Sequence, residues 1–461
     1  MTKSTKRYIR YGTDLDVVHK FIEDARMEVT GAHSILNVYA IAGFGKSDFL
    51  TKVKEEYRRK LPTTLVRVTD FSGGEQEGGY RLDRMLRRMI TDLQNGLPAW
   101  AQLDLGVTEL AALADQLDTA THYAVENDKF ALVLVDDYDR LPPGTRVLFD
   151  EVVLSRLVKK PRQAVVILTS ERELTFTDRL DLKVCLKTYP LSRFTEDDIK
   201  TTTPQYAELA EEIFKWTGGL SELVEFLIQE LGKRSIGTLE EYHAHEEELL
   251  KGAYREHANR IALGDLPEPA RQSMPVLSLL RRFDVSTLRS ILPQIISDFK
   301  PYTTRQYLEL IDQLGSRVQW RDEGGYALDD ALRIVFSNYE RAYDPVTYKK
   351  VHRVAERMYE EWLQEKQRYR DYYVREMLYH RLAQETLSPE ADFPGLVQLV
   401  SGILLEYIRG ERTPGPCDDG DVDELRTFKE SLEQDGYLNK FISSEVWEAI
   451  KAKEASMASS Q

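Results

Sequence analysis

Short runs of apolar residues punctuate the first half of the chain, at residues 35–42, 65–68, 130–135 and 164–168. Between them, residues 80–93, 107–125 and 145–158 carry apolar positions at three- and four-residue spacing, the period of amphipathic helices. Continuous apolar runs are the mark of strands buried on both faces. Their alternation with helices implies right-handed crossovers in a doubly wound parallel sheet. One more run, Val184-Cys185-Leu186-Lys187-Thr188-Tyr189, ends the β signal. Residues 195–263 then read as helices broken at Pro204 and at Gly218-Gly219, which predicts a helical lid.

The segment Gly264-Asp265-Leu266-Pro267-Glu268-Pro269 interrupts the helical pattern, and three short helical stretches follow. Arg317-Val318-Gln319-Trp320, a turn over 321–325 and Tyr326-Ala327-Leu328 read as a hairpin, so the order is helices and then a wing. From Asp344 onward the pattern is helical and rich in Tyr, Arg and Glu. Residues 410–420, with Pro414 and Pro416, read as a loop before two last helices, and the end from Ala455 is expected to fray. The predicted fold is an α/β core with a parallel sheet (1–192), a helical lid (193–264), a winged-helix-like domain (265–343) and an all-α C-terminal domain (344–461).

Composition narrows the class. With 42% hydrophobic and 10% aromatic residues among 461, the chain carries enough apolar surface for several packed cores. A formal net charge of -15 argues against holding nucleic acid through general positive charge, since phosphate neutralisation needs clustered Lys and Arg. The two cysteines, Cys185 and Cys417, have no neighbours at zinc-ligand spacing. The eight histidines are scattered, and His243 and His245 are expected on a solvated face. No signal peptide and no apolar run of about 20 residues is evident, so the expected setting is cytoplasmic, with no membrane partner.

The strongest chemical motif is Ala40-Ile41-Ala42-Gly43-Phe44-Gly45-Lys46-Ser47, a Walker A-type loop between an apolar strand and a helix expected to begin near Asp48, which makes the predicted core an α/β P-loop NTPase core. Such a loop needs Gly43 and Gly45 where the backbone curls its N–H groups inward, Lys46 for the β and γ phosphates, and the Ser47 hydroxyl for magnesium. Ala40 replaces the usual first Gly, and Asp48 places a carboxylate near the expected α-phosphate. Further along, the strand Ala131-Leu132-Val133-Leu134-Val135 ends in Asp136 and Asp137. It is expected to lie beside the phosphate-loop strand, with Asp136 holding magnesium and Asp137 polarising the attacking water. A third strand ends in Thr169 and Ser170, placed to sense the γ-phosphate, with Arg172 nearby to stabilise developing charge.

Together these residues resemble the STAND class of signal-transduction ATPases, the AAA+-related group that includes NB-ARC and NACHT domains. The resemblance continues through Tyr189-Pro190-Leu191-Ser192, Trp216-Thr217-Gly218-Gly219-Leu220-Ser221 and the wing followed by Leu328-Asp329-Asp330. It implies ATP or ADP with Mg2+ as cofactors, a weak regulatory ATPase activity, and contacts to nucleotide from the positions of Phe44, Ser221 and Asp329. In that family the position of Ser221 usually carries a Pro that packs on adenine, and that of Asp329 a His that contacts the ADP phosphate.

The leading expectation is therefore an ATP-dependent switch that couples nucleotide state to self-assembly or to a protein partner, as in signalling and defence. One alternative is an initiator- or regulator-type ATPase that binds DNA through the winged helix. Residues 265–345 hold ten Lys or Arg and twelve Asp or Glu, leaving only a local patch of Arg281, Arg282, Arg289 and Arg305 for that role. Another is a nucleotide-binding scaffold without turnover.

Overall fold

The computed structural model describes residues 12–27, 33–71, 81–95, 103, 106, 108–126, 130–158, 163–253, 258–264, 266–297, 299–300, 302–321, 324–365, 369–388, 390–410 and 422–458. The chain forms two compact units, Met1–Gly264 and Asp265–Gln461.

In the first unit, β1 (Ile35–Tyr39), β2 (Thr63–Arg67), β3 (Ala131–Asp136), β4 (Ala164–Ser170) and β5 (Leu186–Pro190) form one parallel sheet in the order β2-β3-β4-β1-β5. Around it lie α1 (Gly12–Arg26), α2 (Lys46–Tyr57), α3 (Leu82–Gln94), α4 (Leu110–Glu126), α5 (Pro143–Phe149), α6 (Ser155–Val158) and α7 (Leu180–Lys183). The expected pairing of the Asp136-Asp137 strand with the phosphate-loop strand is not what forms. β4 stands between them, pairing Ala131–Val135 on one side and Ile35–Tyr39 on the other. β4 and β3 are both buried along their whole length, so both are interior strands, and which of them adjoins β1 is set by pairing between residues distant in sequence rather than by local pattern. Expected helix 145–158 also differs, because residues Asp150–Leu154 are π-helical between α5 and α6. The expected helices over 80–93 and 107–125 form as α3 and α4, and Tyr80 and Val107 lie outside the described residues.

The helical part of this unit contains α8 (Glu196–Thr202), α9 (Ala210–Thr217), α10 (Ser221–Arg234), α11 (Leu239–Gly252) and α12 (Asn259–Leu263). Thr195 with Asp198 and Thr238 with Glu241 form capping boxes that start α8 and α11. Ile199, Ile213, Leu227, Leu231 and Tyr242 share its core. The breaks fall as read from sequence. Pro204 opens a 3-10 turn over Pro204–Leu209, and Gly218 and Gly219 adopt φ of 58° and 78°. A Cβ at Gly219 would stand 2.1 Å from the carbonyl oxygen of Phe194, so glycine is required there. Phe194 N–H in turn donates to Gly219 O at 3.0 Å, which fixes where α10 begins.

The second unit opens with α13 (Glu268–Ser278), α14 (Val285–Ile295) and α15 (Thr304–Leu314), followed by the antiparallel hairpin β6 (Val318–Trp320) and β7 (Tyr326–Leu328). A bridge between Phe283 and Tyr326 adds a short third edge to the hairpin. Part of the expected hairpin turn, 322–323, lies outside the described residues. Then come α16 (Asp330–Tyr343), α17 (Pro345–Glu365), α18 (Arg370–Glu385), α19 (Phe393–Arg409), α20 (Val422–Gln434) and α21 (Ser444–Ala458). The expected loop at 410–420 falls, beyond Gly410, outside the described residues, and α21 runs to Ala458 where fraying was expected from Ala455. No described helix is long and apolar enough to cross a membrane.

Two buried polar groups tie this unit together. Arg281 reaches Glu376 at 2.8 Å and Asp435 at 2.5 Å, joining the α13–α14 turn to α18 and to the end of α20. His352 on α17 and His380 on α18 are fully buried with Nδ1 atoms 2.7 Å apart, a contact in which one ring donates and the other accepts. Burial pushes His352 down to about 3 and His380 well below the usual histidine range. Because the folded rings resist protons that the unfolded rings accept, their contribution is intact above the unfolded pKa. It is lost progressively as pH falls through about 6.5 toward 3. Urea denaturation of His352→Gln against the parent should show a shallower loss of stability between pH 6.5 and 4, by up to about 1.4 kcal/mol per pH unit. Identical pH slopes would contradict this account of the pair.

Candidate functional site

β1, β3 and β4 all end at the same edge of the sheet, so their following loops converge where parallel sheets bind ligands. After Tyr39 the chain turns through Gly43 (φ 85°) and Gly45 (φ 83°), both left-handed, and α2 begins at Lys46. Gly45 supplies no side-chain cap, so the first amides of α2 present the positive helix end to the loop. Lys46 is buried, and its Nζ donates to the carbonyls of Ala40 at 2.7 Å and Ile41 at 3.1 Å. Ala40 is thus compatible with the loop: its N–H donates to Ser170 O and its carbonyl receives Lys46. Ser47 follows at the second position of α2, half-buried, and Asp48 lies in the same first turn.

At the end of β3, Asp136 is buried and accepts the Thr169 hydroxyl at 2.6 Å, while its other oxygen lies 3.6 Å from Arg67 Nε. Asp137 adopts φ 58°, and its N–H donates to the same Thr169 oxygen at 3.0 Å. Burial, followed by the charge of Asp136, raises the Asp137 carboxyl above its usual range, with Lys46 opposing. Asp139 accepts the Glu171 N–H at 2.8 Å and is likewise raised by burial. Burial lowers Lys46, and Glu171, Asp137, Asp139 and Asp136 act against that shift. An ammonium buried beside these carboxylates is the electrostatic centre of the site.

The structure therefore brings Gly43, Gly45, Lys46, Ser47, Asp136, Asp137 and Thr169 to one place. The Thr169 hydroxyl is engaged between Asp136 and the Asp137 amide. Ser170 donates to Arg172 O at 2.5 Å and accepts from Asn37 Nδ2 at 2.7 Å, and the Arg172 side chain is exposed. Sequence reasoning missed Asn37, which also accepts the Leu174 N–H at 3.0 Å and so secures the chain after β4. A polar residue in the middle of Ile-Leu-Asn-Val-Tyr was the available signal. Asp139, Glu171 and Arg67 were missed as well. Asp139 stood only two residues beyond the acidic pair.

The start of α10 lies against the phosphate loop. Ser221 Oγ donates to Phe44 O at 2.9 Å, and Glu222 N–H donates to Gly43 O at 3.1 Å. Glu222 also pairs with Arg260, and the neighbouring Ile261 would meet a Cβ at Gly43 at 3.0 Å. Asp329, in the second unit, caps α16 by accepting the Ala331 N–H at 2.9 Å.

No family model matches this chain, and no curated protein matches it. Among solved structures, it is similar to Cdc6p from Pyrobaculum aerophilum, at 14% identity and a TM-score of 0.36 over 74% of this chain and 96% of that one. It is also similar to the Orc1 protein of Aeropyrum pernix in complex with DNA, at 14% identity and a TM-score of 0.33 over 71% and 92% of the two chains. PCH-2 of C. elegans shows 13% identity and a TM-score of 0.28 over 58% and 60%. Likenesses of this size carry no residue-level correspondence.

Thr169→Val removes a hydroxyl that serves the buried Asp136 carboxylate and the half-buried Asp137 amide, leaving both without this partner. Chemical denaturation should show a loss of about 1–3 kcal/mol, with Thr169→Ser close to the parent. A neutral Thr169→Val would show that this hydroxyl does not hold the acids.

Proposed function

We propose that this chain is a magnesium-dependent ATP-binding protein of the P-loop type that hydrolyses ATP slowly and uses nucleotide state as a switch. The single observation that carries the reading is the buried Lys46 ammonium, held in a glycine loop at a helix N-terminus and faced by the acids that end β3. The residues fit a nucleotide triphosphate. Gly43 and Gly45 take the left-handed conformations that let a loop wrap phosphate, and Lys46 is positioned to exchange loop carbonyls for phosphate oxygens. Ser47 and Asp136 would hold magnesium, and Asp137, raised by burial and fixed by Thr169, would accept the proton of the attacking water. Bound Mg-ATP supplies the phosphoanhydride and the charge neutralisation at its terminal phosphate.

The switch half of the reading rests on α10. Nucleotide shifts a conformational equilibrium only through groups that touch it differently in two states. Ser221 and Glu222 bond directly to the loop carbonyls of Phe44 and Gly43, so reshaping of the loop on binding phosphate is transmitted to the helical segment. Assembly or partner binding is the output this reading gives, in line with the STAND resemblance. Asp329 as a nucleotide contact belongs to the same proposal, beside its capping of α16.

Lys46→Ala should abolish or strongly weaken ATP binding in a chain that remains folded, measured by titration calorimetry. Asp137→Asn should bind ATP and lose turnover, whereas Asp136→Asn should lose magnesium dependence. Unchanged affinity in folded Lys46→Ala, or parental hydrolysis in both Asp variants, would defeat the assignment.

A second reading, duplex DNA contact through α15 and the hairpin, is supported by the element order and by exposed Arg305 and Trp320. Of the patch read from sequence, half-buried Arg281 is engaged in its ion network, and Arg305 pairs with Glu309 at 2.9 Å. If this reading holds, Arg305→Ala weakens duplex binding and reduces its salt dependence in an anisotropy titration. No salt-dependent binding by the parent chain would remove it.

A further inference from the structure

The turn after the acidic pair is clamped from behind. Residues Tyr138–Arg140 form a 3-10 turn, with Arg140 N–H donating to Asp137 O at 2.9 Å and Leu141 N–H to Tyr138 O at 3.2 Å. Arg146, one turn into α5, sends Nη2 to the carbonyls of Asp139 at 2.6 Å and Leu141 at 3.0 Å. Its guanidinium also lies 5.7 Å from the centre of the Tyr138 ring. Tyr138 is buried between Phe149 and Phe176, and its hydroxyl donates to Asp150 at 2.5 Å.

Asp150 opens the π-helical stretch Asp150–Leu154. A π turn inserts a residue into the helical ladder and is retained mostly where function requires it. Here it coincides with the placing of a buried carboxylate under Tyr138. The same stretch is anchored beyond Asp150: Ser155 donates to Asp181 at 2.8 Å, and Arg179 bonds to both Ser155 and Asp181.

We propose that Arg146, Tyr138 and Asp150 are positioning residues that hold Asp137 in its left-handed conformation at the end of β3. A non-glycine residue at φ 58° is strained and persists only when its surroundings over-determine it. Thr169 restrains Asp137 at its amide; Arg146 and the Tyr138–Asp150 pair restrain the turn that follows. None of the three needs to touch nucleotide. This inference rests on the reading of Asp137 as the group that activates water.

The test uses the full chain with Tyr138→Phe, Asp150→Asn, Arg146→Lys and Arg146→Met, and two readouts. Without nucleotide, amide hydrogen exchange should show Arg140 and Leu141 losing protection in Arg146→Met while residues 132–135 of β3 stay protected. Arg146→Lys, which keeps a donor, should restore part of it. With Mg-ATP, kcat should fall at least tenfold in Tyr138→Phe and Arg146→Met, with ATP affinity within about threefold of the parent and Asp150→Asn between them. Parental exchange in the turn, or loosened exchange with parental kcat, overturns the proposal while leaving the ATPase reading standing. A parent chain that binds ATP without hydrolysing it overturns both.

Discussion

A buried ammonium is costly unless its charge is answered, and the first unit is arranged around answering that of Lys46. Burial lowers it; two loop carbonyls and the acids at the ends of β3 and β4 hold it in place. Those acids would repel one another and any bound phosphate without the cation, while the cation alone would not stay buried. With β4 between β1 and β3, Thr169 is within reach of Asp136, and Ser170 is within reach of Asn37.

The helical segment is attached to this centre by backbone constraints. Gly219 permits an approach to Phe194 that no other residue would allow, and the approach aims the start of α10 at the carbonyls of Gly43 and Phe44. Hydrogen bonds from Ser221 and Glu222 to that loop link its shape to the position of the helix, and under the proposed function they are the contacts through which nucleotide would act on α10.

The strands and the phosphate loop were legible because each rests on local pattern: continuous apolar runs for strands buried on both faces, and glycines next to Lys46 for a curled loop. Strand order was not legible, since pairing joins residues distant in sequence and no local feature placed β4 between β1 and β3. The bond from Thr169 to Asp136 was not legible for the same reason: the two residues come from different strands. The π stretch at Asp150–Leu154 was hidden because one inserted residue barely disturbs a helical period. His352 and His380 meet only once α17 and α18 pack together, which scattered histidines in a sequence do not announce.

If phosphate engages the Lys46 loop, α10 responds through its bonds to Gly43 and Phe44. Amide hydrogen exchange on the whole chain, with and without Mg-ATP, measures both segments at once. Added protection across Gly43–Ser47 together with a change at Ser221–Val224 is the expected result. Exchange that is unchanged in both segments at saturating ATP would contradict it.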